Sequence, residues 1–351
     1  MRRTQLLVAI LLLAAACGGQ ETATTRASTT LGTTTTTGVA TTTTVAPTTI
    51  AVPATSPPTT ADSTTTTPPP AVAPESGFPV TVAGAEIATR PEAIVSLSPT
   101  ATETLFAIGA GDQIIAVDWT SDYPEEAPVT DLDGFNPNLE AIASYNADLV
   151  VIAFDPGELV SGLSALGIPV ILHPAAPDIA TAFSQMAELG MATGQTSAAA
   201  ELAAELAAAV RAEVDQAITG FENGAEGVTY YHEVDDTFYT ATSATFIGQV
   251  YSLFGLENIA DPADTEGWGY PQLSVEYILE SDPDIIFFGC AVWCGTTAES
   301  MAGRPGWSGL TAVENGLLIE VDDDISSRWG PRLIEFVRLI GETLATMFES
   351  G

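Results

Sequence analysis

The hydrophobic pattern of this chain changes period again and again after about residue 90. Short apolar runs alternate with stretches whose apolar residues recur every three or four positions. The runs Ala93–Leu97, Ile114–Val117, Leu149–Phe154, Val170–His173, Gly227–Glu233, Ile285–Gly289 and Leu317–Val321 have the length of buried strands. Helical spacing begins near Ala101, Leu139, Leu159, Ile179, Phe246, Val275 and Pro331. Such alternation predicts parallel sheets flanked by helices, an α/β fold.

One stretch breaks the alternation. Ser197 to Phe221 is Ala-rich, with Leu202, Leu206, Val210, Val214 and Ile218 at intervals of four. This predicts one amphipathic helix of about 25 residues, about 37 Å long. The α/β pattern lies on both sides of it, so a rigid rod joining two lobes accounts for its place in the chain. The globular part is long enough for two cores rather than one. The expected organisation is an N-terminal α/β lobe over 79–178, helices including the inter-lobe rod over 179–222, and a C-terminal α/β lobe over 223–351.

The first residues follow another pattern. Met1-Arg2-Arg3 supply positive charge, Leu6 to Ala16 form a short apolar run, and Cys17 follows three alanines. That run is too short for a membrane-spanning helix, which needs about 20 residues. A charged start, short apolar core and small-residue exit predict a secretory signal peptide over 1–16. The position of Cys17 resembles a lipobox, which predicts lipidation there, although Ala14 stands where such boxes usually carry Leu. An ordinary signal peptide cleaved near Ala16 is the alternative. Residues 17–78 are rich in Thr, Pro and Ala, with runs such as Thr33 to Thr37 and Thr64 to Pro70. With little to form a core, this segment is expected to be a disordered tether.

Charge narrows the partners. Nine basic residues, all Arg, face 45 Asp and Glu, for a net charge of −36. So acidic a surface repels phosphate backbones and excludes nucleic acid as a partner. Two further cysteines, Cys290 and Cys294, can pair in an oxidising exterior. They are too few for a structural zinc site.

Two segments echo each other. Asn138-Leu139-Glu140 leads, eight residues after the Glu, to the apolar run beginning at Asp148; Ser274-Val275-Glu276 leads, at the same spacing, to that beginning at Asp284. In each, a polar residue can cap a helix whose first turn carries the Glu. A Glu there also favours the helix dipole and needs no further role. Repetition in both halves, however, suits two equivalent acidic tips meeting a two-fold partner.

Taken in order, several motifs resemble the class III, or helical-backbone, periplasmic binding proteins of ABC importers, which serve cobalamin, iron-siderophores and haem. The resemblance covers about residues 90–348. It is carried by Ile94-Val95-Ser96-Leu97-Ser98-Pro99-Thr100-Ala101-Thr102-Glu103, Gly109-Ala110-Gly111, Ser121-Asp122-Tyr123-Pro124, Asn138-Leu139-Glu140 and Tyr270-Pro271-Gln272-Leu273-Ser274 with Glu276. Arg304-Pro305-Gly306-Trp307 and Asp324-Ile325-Ser326-Ser327-Arg328-Trp329-Gly330-Pro331-Arg332 complete it. The family implies two Rossmann-like lobes joined by one long α-helix, modest hinge motion and a ligand cleft between the lobes. It also implies a monomer that docks through Glu140 and Glu276 onto arginines of a permease dimer with its ATPase. Within the family the motifs look most like those of cobalamin binders. The implied cleft residues are Trp119 or Thr120, Phe135, Tyr270 and Asp324. Where cobalamin binders carry Trp, this chain has Gly134 or Phe135 and Tyr270.

The residues themselves add to that cleft. Loops after the expected strands are aromatic, with Trp119, Tyr123, Phe154, Trp268, Tyr270, Trp293 and Trp329. Ligands of open α/β sheets sit at strand carboxyl ends, and aromatic loops there suit a large, flat ring such as a corrin or porphyrin. Core or lid packing is the ordinary role of any single aromatic. His232 is a candidate at the cleft or a hydrogen-bonded residue at a strand end; a lone His makes a poor metal site, and no metal or cofactor is expected. Arg328 is another candidate. With few Arg near the cleft, a neutral or zwitterionic ligand fits better than an anionic catecholate complex. A surface hydrolase is the competing class, but the chain has no Gly-x-Ser-x-Gly elbow. The expectation is therefore a lipid-anchored binder on the outer face of the cytoplasmic membrane, carrying a corrinoid or else a siderophore or haem.

Overall fold

The computed structural model describes residues 77–219 and 225–349. The expected leader, Cys17, nearly all of the tether and Phe221 lie outside the described residues. No helix among the described residues is long and apolar enough to cross a membrane.

An antiparallel hairpin, β1 (Val80–Val82) and β2 (Ala85–Ile87), precedes the first lobe. That lobe runs β3 (Ile94–Leu97), α1 (Pro99–Ala107), β4 (Ile114–Asp118), β5 (Val129–Leu132), α2 (Leu139–Ser144), β6 (Leu149–Ile152), α3 (Leu159–Ala165) and β7 (Val170–Leu172). Its five strands are parallel, in the order β5-β4-β3-β6-β7. All residues of β3 and β6 are buried. Ile94, Leu149 and Val151 feed one core with Leu105, while Val95, Val150 and Ile152 feed another with Leu163. Burial on both faces explains why these strands read as unbroken apolar runs. β5 escaped the pattern because it is an edge strand with only Leu132 buried.

Two helices follow, α4 (Ile179–Thr193) and α5 (Thr196–Ala217). The second lobe then runs β8 (Thr229–Glu233), α6 (Phe246–Ser252), β9 (Glu257–Asn258), α7 (Val275–Ser281), β10 (Ile285–Phe288) and the short α8 (Ala291–Cys294), α9 (Ala298–Ala302) and α10 (Thr311–Glu314). β11 (Leu318–Glu320), α11 (Asp323–Ser327) and α12 (Leu333–Glu349) complete it. Its sheet is again parallel, in the order β11-β10-β8-β9. Ile285 and Phe287 face one core, and Ile286 and Phe288 the other.

The expected rod is α5, 22 residues or about 33 Å long. Ala199 and Leu202 pack into the first lobe's core, and Val210 and Val214 into the second lobe's. A second helix spans the lobes beside it. α4 runs the opposite way, with Ala182 and Phe183 in the second lobe's core and Leu189 and Ala192 in the first's. The connection is thus an antiparallel helix pair, both helices lying in the 179–222 segment expected to hold the inter-lobe rod.

Two glycines permit the reversal. Gly194 (φ 76°) ends α4 in the left-handed conformation, and the Gln195 N–H donates to the Gly190 carbonyl at 2.7 Å. A Cβ on Gly190 would stand 2.4 Å from the Ala199 Cβ, so α4 and α5 touch backbone to side chain. Gly190→Ala sets a helix-propensity gain of about 1 kcal/mol against a clash of similar size. Gly190→Leu has no such offset and is expected to cost about 2–3 kcal/mol, read as a lower urea midpoint at unchanged m-value.

Candidate functional site at the seam between the lobes

Each sheet has a point where its strand order reverses, between β3 and β6 in the first lobe and between β8 and β10 in the second. Chain leaving the carboxyl ends of adjacent strands diverges there and opens a crevice. α1 leaves β3, and the Cys290–Cys294 turn leaves β10. Trp119, Phe135, Phe154 and Asp324 follow β4, β5, β6 and β11.

The deepest contact across the seam is ionic. Glu103, on α1 of the first lobe, is 2% exposed. Its carboxylate accepts from Arg328 Nη1 at 2.9 Å and from Arg332 Nη2 at 2.8 Å and Nε at 3.2 Å. Both arginines belong to the second lobe. Arg328 Nη2 also donates to the Thr120 carbonyl at 3.0 Å and to Asp122 at 3.3 Å, and pairs with Asp324 at 2.6 Å. The Arg332 guanidinium lies 4.4 Å over the Tyr123 ring. Nearby, Trp329 Nε1 donates to Gln185 Oε1 of α4 at 2.7 Å. Residues 328–332 therefore strap the second lobe to the first.

Carboxylates crowd this strap. Burial raises Asp324 above its usual range in spite of Arg328. Burial and the neighbouring Asp322, Asp324 and Glu320 push Asp323 up to about 7. On the first lobe, burial raises Asp118, opposed by hydrogen bonds from Ser121 and Thr120. The Thr120 hydroxyl donates to Asp118 at 2.6 Å, and a Cβ on Gly134 would sit 2.8 Å from Asp118 Oδ2. The loop carrying Trp119 is thus fixed by buried polar bonds.

The sequence-derived cleft residues, His232 aside, separate into four groups. Trp119 and Trp293 meet across the seam, edge to face, with centroids 6.5 Å apart. Phe135 stacks on Phe154 at 5.8 Å within the first lobe. Trp268 and Tyr270 stand exposed on the second lobe, in a turn held by Asp264, which accepts from the Trp268 and Gly269 N–H groups at 3.0 and 2.7 Å. Thr120, Asp324 and Arg328 lie in the strap's network, with the polar groups of Thr120 and Arg328 already bonded to protein.

Of the two roles expected for His232, the structure matches the hydrogen-bonded strand-end residue and not the cleft candidate. It is 2% exposed, and its Nδ1 bonds the Tyr251 hydroxyl at 2.8 Å inside the second lobe. Its place in β8 turns it toward the core shared with Tyr230, and burial lowers its pKa to about 4. It is a neutral core residue and presents nothing to a guest. Among the described residues no cluster of His, Cys, Asp or Glu is disposed to hold a metal. Behind the seam, Ser98, His173, Gln185 and Trp329 border a small space of about 10 Å³, the size of one water. A larger recess of about 370 Å³, lined by Glu320, Asp322, Glu335, Arg338 and Glu342, lies by α12.

Sequence reasoning did not single out Glu103 as the seam's anchor, although it stands in the quoted motif. The available signal was an acidic residue within the otherwise uncharged Pro99–Ala107 helix, in a chain where two of nine cations fall four residues apart at 328 and 332.

These features define a two-lobed binding protein whose lobes are tied by a helix pair and a buried ionic strap. Residues 94–325 match the family model described as periplasmic binding protein, and the chain belongs to that family. A cobalamin-binding protein of Halobacterium salinarum is 30% identical over 270 residues, covering 74% of this chain and 72% of that protein. An uncharacterised ABC transporter substrate-binding lipoprotein of Bacillus subtilis is 29% identical over 277 residues, covering 76% and 86%. Among solved structures, the periplasmic vitamin B12 binding protein of Vibrio cholerae has a TM-score of 0.59 at 24% identity, covering 72% of this chain and 96% of its own. A periplasmic heme-binding protein of Roseiflexus gives 0.63 at 22%, covering 72% and 98%. The structural likenesses establish the fold alone.

Removing one partner from a buried ionic cluster leaves uncompensated charge. Glu103→Ala is expected to lower stability by about 3–5 kcal/mol in urea unfolding, whereas Arg338→Ala, which breaks the exposed Arg338–Glu213 pair, should change it by less than about 1 kcal/mol.

Proposed function

We propose that this chain is the substrate-binding lipoprotein of an ABC importer, held at the outer face of the cytoplasmic membrane by lipidated Cys17. It captures cobalamin or a related corrinoid between its lobes and delivers it to a permease dimer driven by its ATPase. The observation that carries the reading is the meeting of Trp119 and Trp293 across the seam, which puts aromatic surface from both lobes at one place where a large apolar ring can be gripped. The names of the Halobacterium and vitamin B12 relatives favour the same ligand class.

Haem is the second reading, favoured by the names of several structural neighbours. Haem carries two carboxylates and a ferric catecholate more charge still, and both need cationic partners. The seam arginines are already committed: Arg328 and Arg332 share Glu103, and Arg328 also meets Asp122 and Asp324. That commitment favours the corrinoid. Titration of the protein with cyanocobalamin, haemin and ferric hydroxamates, followed by Trp quenching, decides between them. Cyanocobalamin is expected to bind at about 1 µM or tighter. Equal or tighter binding of haemin or a hydroxamate, with no response to cyanocobalamin, overturns the assignment.

Delivery rests on the two acidic tips. Asn138 caps α2 by accepting from the Ala141 N–H at 2.9 Å, and Ser274 caps α7 by accepting from the Tyr277 N–H at 3.2 Å. Each helix then carries an exposed Glu at its second residue, Glu140 and Glu276. These matched exposed carboxylates suit arginines on a two-fold partner. Glu140→Ala combined with Glu276→Ala should leave ligand affinity unchanged while transport falls about tenfold or more in a reconstituted importer. Transport at the parental level would refute the docking role.

A further inference from the structure

The two indoles at the seam are held by different means. Trp119 sits in a loop pinned on both sides: its N–H donates to the Leu132 carbonyl at 3.0 Å, and the next residue, Thr120, bonds Asp118 and Arg328. Trp293 has no such support. It lies on α8, a single turn of four residues, shorter than any helix that persists alone in water. Val292 is 85% exposed and Trp293 55% exposed, so the turn has little core to hold it. What closes it is covalent. Cys290, 3% exposed at the end of β10, is joined to Cys294 by a disulfide with a Cα–Cα distance of 5.2 Å. The bridge spans one helical turn, and the Cys294 and Gly295 N–H groups donate to the Cys290 and Ala291 carbonyls at 3.1 Å.

We propose that the Cys290–Cys294 disulfide is the positioning element of the ligand site's second jaw: it fixes Trp293 edge-on against Trp119. This rests on the proposed function for its ligand but not for its geometry. The physical reason lies in the cost of ordering. A tryptophan on a loose loop loses conformational freedom when a guest is gripped, about 0.5–1.5 kcal/mol for such a side chain. The disulfide fixes beforehand the turn that carries the ring, while the side-chain torsions stay free to turn. The 6.5 Å separation at 77° is a direct edge-to-face contact, so the jaw is closed without a guest. Rotation of one indole, with little parting of the strapped lobes, would admit a ring edge.

The test uses Cys290→Ala/Cys294→Ala in the full-length protein. Two coupled indoles give an exciton couplet in far-ultraviolet circular dichroism, so the jaw is read without ligand. Trp119→Phe and Trp293→Phe identify the couplet by abolishing it. The disulfide-free variant should lose the couplet while keeping its helical signal. Its affinity for whichever probe the parent binds, cyanocobalamin or haemin, should fall about three- to tenfold. In a Trp293→Ala background, removing the disulfide should cause no further loss, because both changes act through one side chain. If the double Cys variant does not fold, dithiothreitol reduction of the intact protein, itself oxidised to the cyclic disulfide, replaces it. A couplet that survives loss of the disulfide overturns the proposal. So does an additive loss of affinity in the Trp293→Ala background. Absence of binding by both probes to the parent would count against the proposed function alone, with the couplet still deciding the jaw.

Discussion

The arrangement of the two lobes depends on a carboxylate buried at their seam. Glu103 is held in α1 of the first lobe with almost no exposure, and a charge in that position is tolerated only if it is paired and fully hydrogen-bonded. The pairing comes from the other lobe, through Arg328 and Arg332. Neither lobe can satisfy these groups alone. Sliding one lobe past the other would strand an anion on one side and two cations on the other. The strap therefore specifies the register of the lobes more than it adds net stability.

The helix pair α4 and α5 supplies the complementary constraint. Both helices contribute side chains to the cores of both lobes, so hinge bending must be accommodated within packed helices rather than in a free linker. Close approach at Gly190 makes the pair stiff. Under the proposed function, such a frame would change little in overall geometry on taking a guest. Capture would then fall to side chains at the seam. Two indoles meet there, the loop of one pinned by hydrogen bonds and the turn of the other closed by a disulfide.

Much of this was legible in the chain. The parallel sheets were readable because strands buried on both faces need uninterrupted apolar runs, as in Leu149–Ile152 and Ile285–Phe288. α5 was readable because a helix packed along one side shows apolar residues at every fourth position. The edge strands β5 and β9 were not, since exposed edges carry no such pattern. Helices of four or five residues, α8 to α11, are too short to show periodicity and are held by the disulfide at α8, by caps at α9 and α11 and by the Asp282 carboxylate at α10, and they too were missed.

The sequence alone determined the fold class, the two-lobed plan, the acidic character of the surface and the residue types at the strand ends, because each follows from local period or from composition. Tertiary structure alone decided which polar residues meet. Glu103 and Arg328 are 225 positions apart, and no local rule relates them. It also decided that His232 turns into the core, since a strand residue near a sheet end can face either side and only the neighbour Tyr251 fixes which. The partnership of Trp119 with Trp293 has the same origin: each belongs to its own lobe, and only the packing of lobe on lobe brings them together.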